Sequence, residues 1–230
     1  MTLNYTHIID LSHPIAPHMP HWPGDPETKI EECADIGRDG YNLSRLTIGE
    51  HTGTHLGAPR HFCETGVTVD EIPPGYFMAP AIVINMEAKA ALNRDALLSV
   101  KDIVLWEKMY GFIKSGSIAL VKTGWSHLWG DESAYFAIAK DGLHFPGISL
   151  VAARYLVQEL DIIGLGIDTA GIDGGRSIDF KTSKLLAEQN VYHLENLNLA
   201  ALTITHLTLV VAPLPISGGS GSPCRILGFF

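Results

Sequence analysis

Three cysteines are few for a chain of 230 residues. Cys33, Cys63 and Cys224 are odd in number and form no Cys-x-x-Cys pair. That argues against a disulfide framework and a thiolate zinc finger, and makes a reducing cytoplasm the expected setting. Basic runs are also missing and the formal net charge is −9, so nucleic acid is not an expected partner. No apolar stretch reaches the roughly 18 residues of a membrane span, so no membrane partner is expected. The segment Met1–Ile8 has neither the basic nor the apolar region of a secretory leader. Charged residues make up only 18% against 46% hydrophobic. This is a globular composition, sized for a single domain over residues 1–230. So few charges also suggest that some surface is buried in an oligomer. Internal repeats and low-complexity stretches are absent, which leaves a purely structural role without support.

Histidine is what the chain has in quantity, with eleven. Three of them stand in His51-Thr-Gly-Thr-His55-Leu-Gly-Ala-Pro59-Arg-His61. An i, i+4 His pair can share one face of a helix. Here Gly53 and Gly57 would each cost a helix about 1 kcal/mol, and Pro59 more. The stretch is therefore expected to be an ordered loop whose glycines bring His51 and His55 together. Imidazoles so gathered suit zinc, iron, copper, nickel or manganese.

The rest of the chain gives a frame for that stretch. Pro20, Trp22, Pro23, Gly24 and Pro26 define a rigid loop, with Trp22 either a pocket wall or a hydrophobic plug. Leu46 and Ile48 alternate in a strand over 42–50 that delivers the histidines, and 81–85 is a short buried strand. Ser99 with Asp102 starts a helix that stops at Gly111. A strand over 117–123, a helix capped by Ser149 and a strand over 162–167 form a βαβ unit, so part of the sheet is parallel. The intervening loop carries Trp125, His127, Trp129, Tyr135 and His144 and lines a cleft. Asp168 and Asp173 follow a strand end, where they orient histidines or hold turns. A short helix over 182–189 leads to Tyr192–Leu197, and strands over 203–211 and 224–227 finish the chain. His193 and His206 sit among apolar residues, as satisfied core or sheet histidines do. Arg225 reads as half of a structural ion pair.

These residues together resemble the cyclase family of metal-dependent hydrolases, which includes bacterial kynurenine formamidase, isatin hydrolase and trans-dienelactone hydrolase. The family motif is H-x-G-T-H-x-D-x-P-x-H, matched here by His51, Gly53, Thr54, His55, Pro59 and His61. Trp22-Pro-Gly-Asp25, Val69-Asp70, Thr123-Gly-Trp125, Phe145-Pro-Gly147, Gly166-Ile-Asp-Thr169 and Leu194-Glu-Asn-Leu197 follow in the family's order. The resemblance covers nearly the whole chain. It implies an α/β fold, a single domain with a mixed β-sheet or barrel-like core flanked by helices. It also implies a homodimer or homotetramer, and hydrolysis of a small cyclic amide, lactone or N-formyl amide through a metal-bound water.

The chain departs from the motif where the metal is held. The motif's Asp, which in two-zinc members bridges both ions, is Gly57. The His that those members carry twelve residues before the late Glu is Ser183. Both would have served the same second ion. The resemblance then leaves His51, His55 and Glu195 as metal ligands for one divalent ion, zinc or manganese, with iron a further candidate. It leaves His61 as acid and base, with Thr54 as a possible donor to the substrate carbonyl. Trp22, Gly57, Ser183, Trp125 and His144 are the expected substrate-binding residues. The paired loss at Gly57 and Ser183 also keeps open a member with no metal, either an acid–base catalyst of elimination or cyclisation or a non-catalytic small-molecule binder.

Overall fold

The computed structural model describes residues 4–230. Met1, Thr2 and Leu3, which open the segment read above for a leader, lie outside the described residues. In chain order the strands are β1 (Ile8–Asp10), β2 (Lys29–Ala34), β3 (Leu43–Thr47), β4 (His55–Gly57), β5 (Met78–Asn85), β6 (Leu97–Leu98), β7 (Ile118–Lys122), β8 (Gly147–Ile148), β9 (Gly164–Ile167), β10 (Tyr192–Glu195), β11 (His206–Pro213) and β12 (Gly221–Phe229). Seven of them close on themselves in the order β12, β11, β5, β7, β9, β10, β4 and back to β12. The run β5–β7–β9–β10 is parallel, the other pairings are antiparallel, and β1 adds to the outside edge of β12. The result is the mixed barrel expected of an α/β chain.

Period-two alternation divides the apolar residues between two cores. Ala81, Val83, Ile118, Leu120, Tyr192 and Leu194 turn into the barrel with Leu56, Leu209 and Ile226. Ile82, Ile84, Ala119, Val121, Leu165 and Ile167 turn the other way. They meet Ile103 and Trp106 of α3 (Val100–Tyr110), Ala152 and Ala153 of α5 (Leu150–Arg154), and Leu185 and Leu186 of α6 (Lys181–Glu188). The shorter helices are α1 (Ile36–Asp39), α2 (Glu87–Leu92) and α4 (Glu132–Phe136). Helix α3 starts where its capping box predicts. Asp102 N–H donates to Ser99 Oγ, Ser99 N–H donates to the Asp102 carboxylate, and Gly111 ends the helix. Ser149 caps α5, which runs on as a π turn over Tyr155–Glu159. None of these helices is long and apolar enough to cross a membrane.

Two local expectations need correction. The segment around Leu43–Thr47 is a strand, but it pairs with β2 in a separate hairpin whose β3 residues are all exposed. It does not join the barrel. The histidine stretch is not a loop throughout, because His55–Gly57 is itself a buried barrel strand. Three residues are too few to carry a visible period, and β4 exists because β10 and β12 pair with it on either side.

Leu120 is fully buried in the barrel, and Leu92 is 91% exposed on α2. Leu120→Ala should cost about 3 kcal/mol in urea unfolding, and Leu92→Ala less than about 0.5. Equal effects would show that the barrel interior is not the stabilising core.

Candidate active site

The register between β4 and β10 builds the site. Glu195 lies opposite His55, Leu194 opposite Leu56, and His193 opposite Gly57. Leu56 and Leu194 face the barrel interior, so alternation puts His55, Gly57, His193 and Glu195 together on the outer face. On the other side of β4, Gly221 of β12 lies opposite Gly57. The turn before β4 is held from below. Gly53 has φ +63°, a left-handed conformation that glycine adopts without strain. Asn196 is also left-handed, which Asn tolerates. Its side chain donates to Gly53 O, accepts from Tyr135 Oη, and its carbonyl accepts from Thr54 Oγ1.

Two imidazoles lie where glycine leaves room. A Cβ at Gly57 would fall 2.1 Å from His193 Nε2, and a Cβ at Gly221 would fall 2.4 Å from His51 Cε1. His51 in turn stacks on His61, ring centroids 3.8 Å apart, and meets His55 edge-on at 5.1 Å. Its Nε2 bonds Ser220 Oγ, which donates to Glu50.

The polar atoms of this cluster are not mutually satisfied. His55 Nδ1 bonds the carbonyl of Gly53 at 2.9 Å. A carbonyl only accepts, so Nδ1 carries the hydrogen and a neutral His55 presents a lone pair at Nε2. That atom is buried without a hydrogen-bond partner, 3.3 Å from Glu195 Oε2. With Nε2 unprotonated, two acceptors face each other, a contact that either a proton on Nε2 or a cation between them relieves. His193 Nε2, 3.7 Å from Glu195 Oε1, and His51 Nδ1 are likewise buried and unpartnered. Among the described residues no group of three or more His, Cys, Asp or Glu side chains is already placed to hold a metal ion. Three orphaned imidazole nitrogens beside one carboxylate are nevertheless the donor chemistry that a borderline divalent ion takes.

Burial pushes the Glu195 carboxyl upward, but His193, His55 and the Ile172 N–H outweigh it and hold it below its usual range. Burial lowers His193 to about 4 and His51 further, with the neighbouring imidazoles adding to the effect on both. His61 stands at the rim with an exposed edge. Desolvation still holds it below the usual imidazole value, with Glu195 pulling the other way.

His51, His55, His61 and Glu195 line a pocket of about 280 Å³, together with Trp22, Phe62, Phe136, Phe180, Gly171 and Ser183. Of the residues expected from the sequence, these histidines, Glu195, Trp22 and Ser183 therefore meet in one place. Others are placed differently. Thr54 is buried with both hydroxyl functions spent, donating to Asn196 O and accepting from His13 N–H, so it fixes the loop and has no donor left for a substrate. Gly57 offers no open space, because the His193 ring fills it. Trp125 lies behind the pocket wall, bonded through Nε1 to Tyr135 O. His144 is outside the pocket, held between Asp95 and Asp141. Ser183 reaches the lining, but its hydroxyl donates to Asp173, which also accepts the Thr182 and Ser183 N–H groups and caps α6. Asp168 is fully buried and ties Thr123 and Gly124, so both aspartates hold turns and touch no histidine. Arg225 pairs with Asp10 as expected.

Sequence reasoning missed two features. His193 is not a satisfied core histidine. The one signal of this was its spacing two residues before Glu195, which on a strand gives both the same face. Phe180, at φ +50°, and Phe62 extend the aromatic wall around Trp22, and nothing in their sequence neighbourhood marks them.

Comparisons with known proteins bear on the family and the fold. A family model described as "Putative cyclase" matches residues 9–174. The chain is 33% identical to isatin hydrolase from Roseibium aggregatum over 88% of its own length and 81% of that protein's. It is 29% identical to kynurenine formamidase from Salinibacter ruber, with 95% of each chain covered. Isatin hydrolase A from Ralstonia solanacearum superposes with a TM-score of 0.90 at 34% identity, over 96% of this chain and 91% of that one. A structure described as a "predicted metal-dependent hydrolase" from Bacillus stearothermophilus superposes at 0.75 and 27% identity, over 97% and 98%.

The buried imidazoles also set a pH dependence. His13 stacks on Trp129 and has an unpartnered Nε2, and burial lowers it to about 4. The unfolded chain binds that proton from pH 6.5 downward and the folded chain does not. Stability is therefore full above about 6.5 and falls as pH drops towards about 4, by about 1–3 kcal/mol for this group. His13→Gln should flatten that part of a urea-derived stability profile. An unchanged slope would remove His13 as its source.

Proposed function

The chain belongs to the cyclase family, and we propose that it is a hydrolase that opens a small, flat cyclic amide or cleaves an N-formyl amide in the pocket beside β4 and β10. The single observation that carries this reading is the pair of opposed acceptors, His55 Nε2 and Glu195 Oε2, buried 3.3 Å apart at the foot of an aromatic pocket. A divalent cation between them fits the donors present, with His51 next to them. When bound, such an ion supplies a Lewis acid and lowers the pKa of water towards ~7. Zinc or manganese suits the imidazole and carboxylate set. The names of the relatives support the substrate class, since isatin is a cyclic amide and a formamidase cleaves a formamide.

The chain's own residues divide the work. Trp22, Phe62 and Phe180 offer flat apolar faces to an aromatic substrate. Gly171 borders the same space without a side chain. His61, standing on His51 at the rim, reaches the open side of the pocket. It takes the proton from the attacking water and returns it to the leaving nitrogen. The Ile172 N–H fixes the Glu195 carboxylate from behind at 2.9 Å. The hairpin of β2 and β3 exposes Ile30, Tyr41, Leu43 and Leu46. We infer from them a homo-oligomer, dimer or tetramer, and from the three free cysteines a cytoplasmic setting.

His61→Ala should lower kcat for a cyclic amide by about 10²- to 10⁴-fold while leaving the melting temperature and the metal content unchanged. Turnover that survives this change would overturn the role of His61. The metal reading fails if wild-type protein purified without chelator holds no ion by elemental mass spectrometry and takes up neither zinc nor manganese. Light scattering should give a multiple of 25.0 kDa, and a clean monomer would remove the oligomer.

A further inference from the structure

Gly57 and His193 are cross-strand partners, and their side chains compete for one place. The atoms that a Cβ at position 57 would strike are the far end of the imidazole: Nε2 at 2.1 Å, Cε1 at 2.3 Å and Cδ2 at 2.9 Å. The ring therefore lies across β4, with its nitrogen where a residue 57 side chain would begin. That nitrogen is fully buried and has no hydrogen-bond partner. It lies 3.7 Å from one oxygen of Glu195, and His55 Nε2 lies 3.3 Å from the other. Two donors bound to one zinc at 2.0–2.1 Å in tetrahedral geometry stand about 3.4 Å apart, so both separations suit a shared ion.

We propose that His193 takes the ligand place left by Gly57, so that one divalent ion is held by His55, His193 and Glu195. The proposal rests on the reading of this pocket as a metal site and names which side chain completes it. Simple packing does not account for the ring. An apolar side chain would fill the same space without leaving a buried nitrogen unsatisfied, which costs about 1–3 kcal/mol. The exchange is reciprocal, because any side chain at position 57 collides with the ring. Only one ion is served, because the Ser183 hydroxyl, at the place of the second ion's histidine, is committed to Asp173.

The test removes and restores the exchange. Apo forms of wild type, His193→Ala, Gly57→Asp, the double variant Gly57→Asp/His193→Ala and His55→Ala are titrated with zinc and with manganese, and their melting curves are recorded. His193→Ala should bind about 100-fold more weakly, the upper end of what losing a mere supporting group costs, while still melting cooperatively. Gly57→Asp alone should bind more weakly than the double variant, because the new side chain displaces the far end of the ring without removing it. The double variant should recover affinity to within about 10-fold of wild type. If His193→Ala does not fold, His193→Phe keeps a ring over Gly57 without the nitrogen and gives the same reading. Wild-type affinity in His193→Ala or His193→Phe, or a double variant that binds no better than His193→Ala, overturns the proposal. Affinity kept without His193 but lost in His55→Ala topples only the role of His193. A wild type that binds neither ion takes the metal reading down with it.

Discussion

The antiparallel pairing of β4 with β10 is the constraint on which the rest depends. β4 is three residues long and has no stability of its own, yet it is the strand that closes the barrel between β10 and β12. Its register decides both the core and the site. A slip of β4 by one residue would send His55 into the apolar interior and turn Leu56 out to the pocket, away from Leu194. The packing of Leu56 against Tyr192, Leu194 and Ile226 thus aligns the imidazole with the carboxylate. Asn196 extends the same control. Following Glu195 in a left-handed conformation, it ties the Gly53 turn and the Thr54 hydroxyl to the end of β10. Barrel closure and site assembly are one structural event.

Much of this was legible in the sequence, and the part that was not follows a pattern. Local signals worked. The Ser99 capping box, the Ser149 cap, the alternation before Val211 and the βαβ unit around β7, α5 and β9 rest on interactions within a few residues. The gathering of His51, His55, His61 and Glu195 was readable because the motif is specific. What failed depended on partners distant in the chain. His55–Gly57 looked like a loop because two glycines and a proline outweigh a three-residue strand in any local count, whereas β10 and β12 supply the pairing that makes it one. His144 and Trp125 fell in an aromatic segment that looked like a cleft lining. The contacts that take them elsewhere, to Asp95 and to the carbonyl of Tyr135, have no period to reveal them. Gly57 looked like a vacancy because the residue that fills it lies 136 positions later in the chain.

That last case bears on how the departure from the family motif is understood. A ligand lost by decay leaves a hole and an idle neighbour. Here the space over Gly57 is filled by an imidazole whose nitrogen is buried and unpaired, and Ser183 is taken up in a helix cap. Under the His193 assignment the exchange also changes the charge of the site. An Asp at 57 beside Glu195 would set two negative charges against a divalent ion and neutralise it, whereas His193 and Glu195 set one. The remaining positive charge would sit in a buried pocket where electrostatic interactions are strong. Amide hydrolysis builds negative charge on the carbonyl oxygen and ends in a carboxylate, and preorganised positive charge stabilises both. On that assignment the glycine would retune the site towards one ion of higher effective charge, through a register that places residue 193 directly across from it.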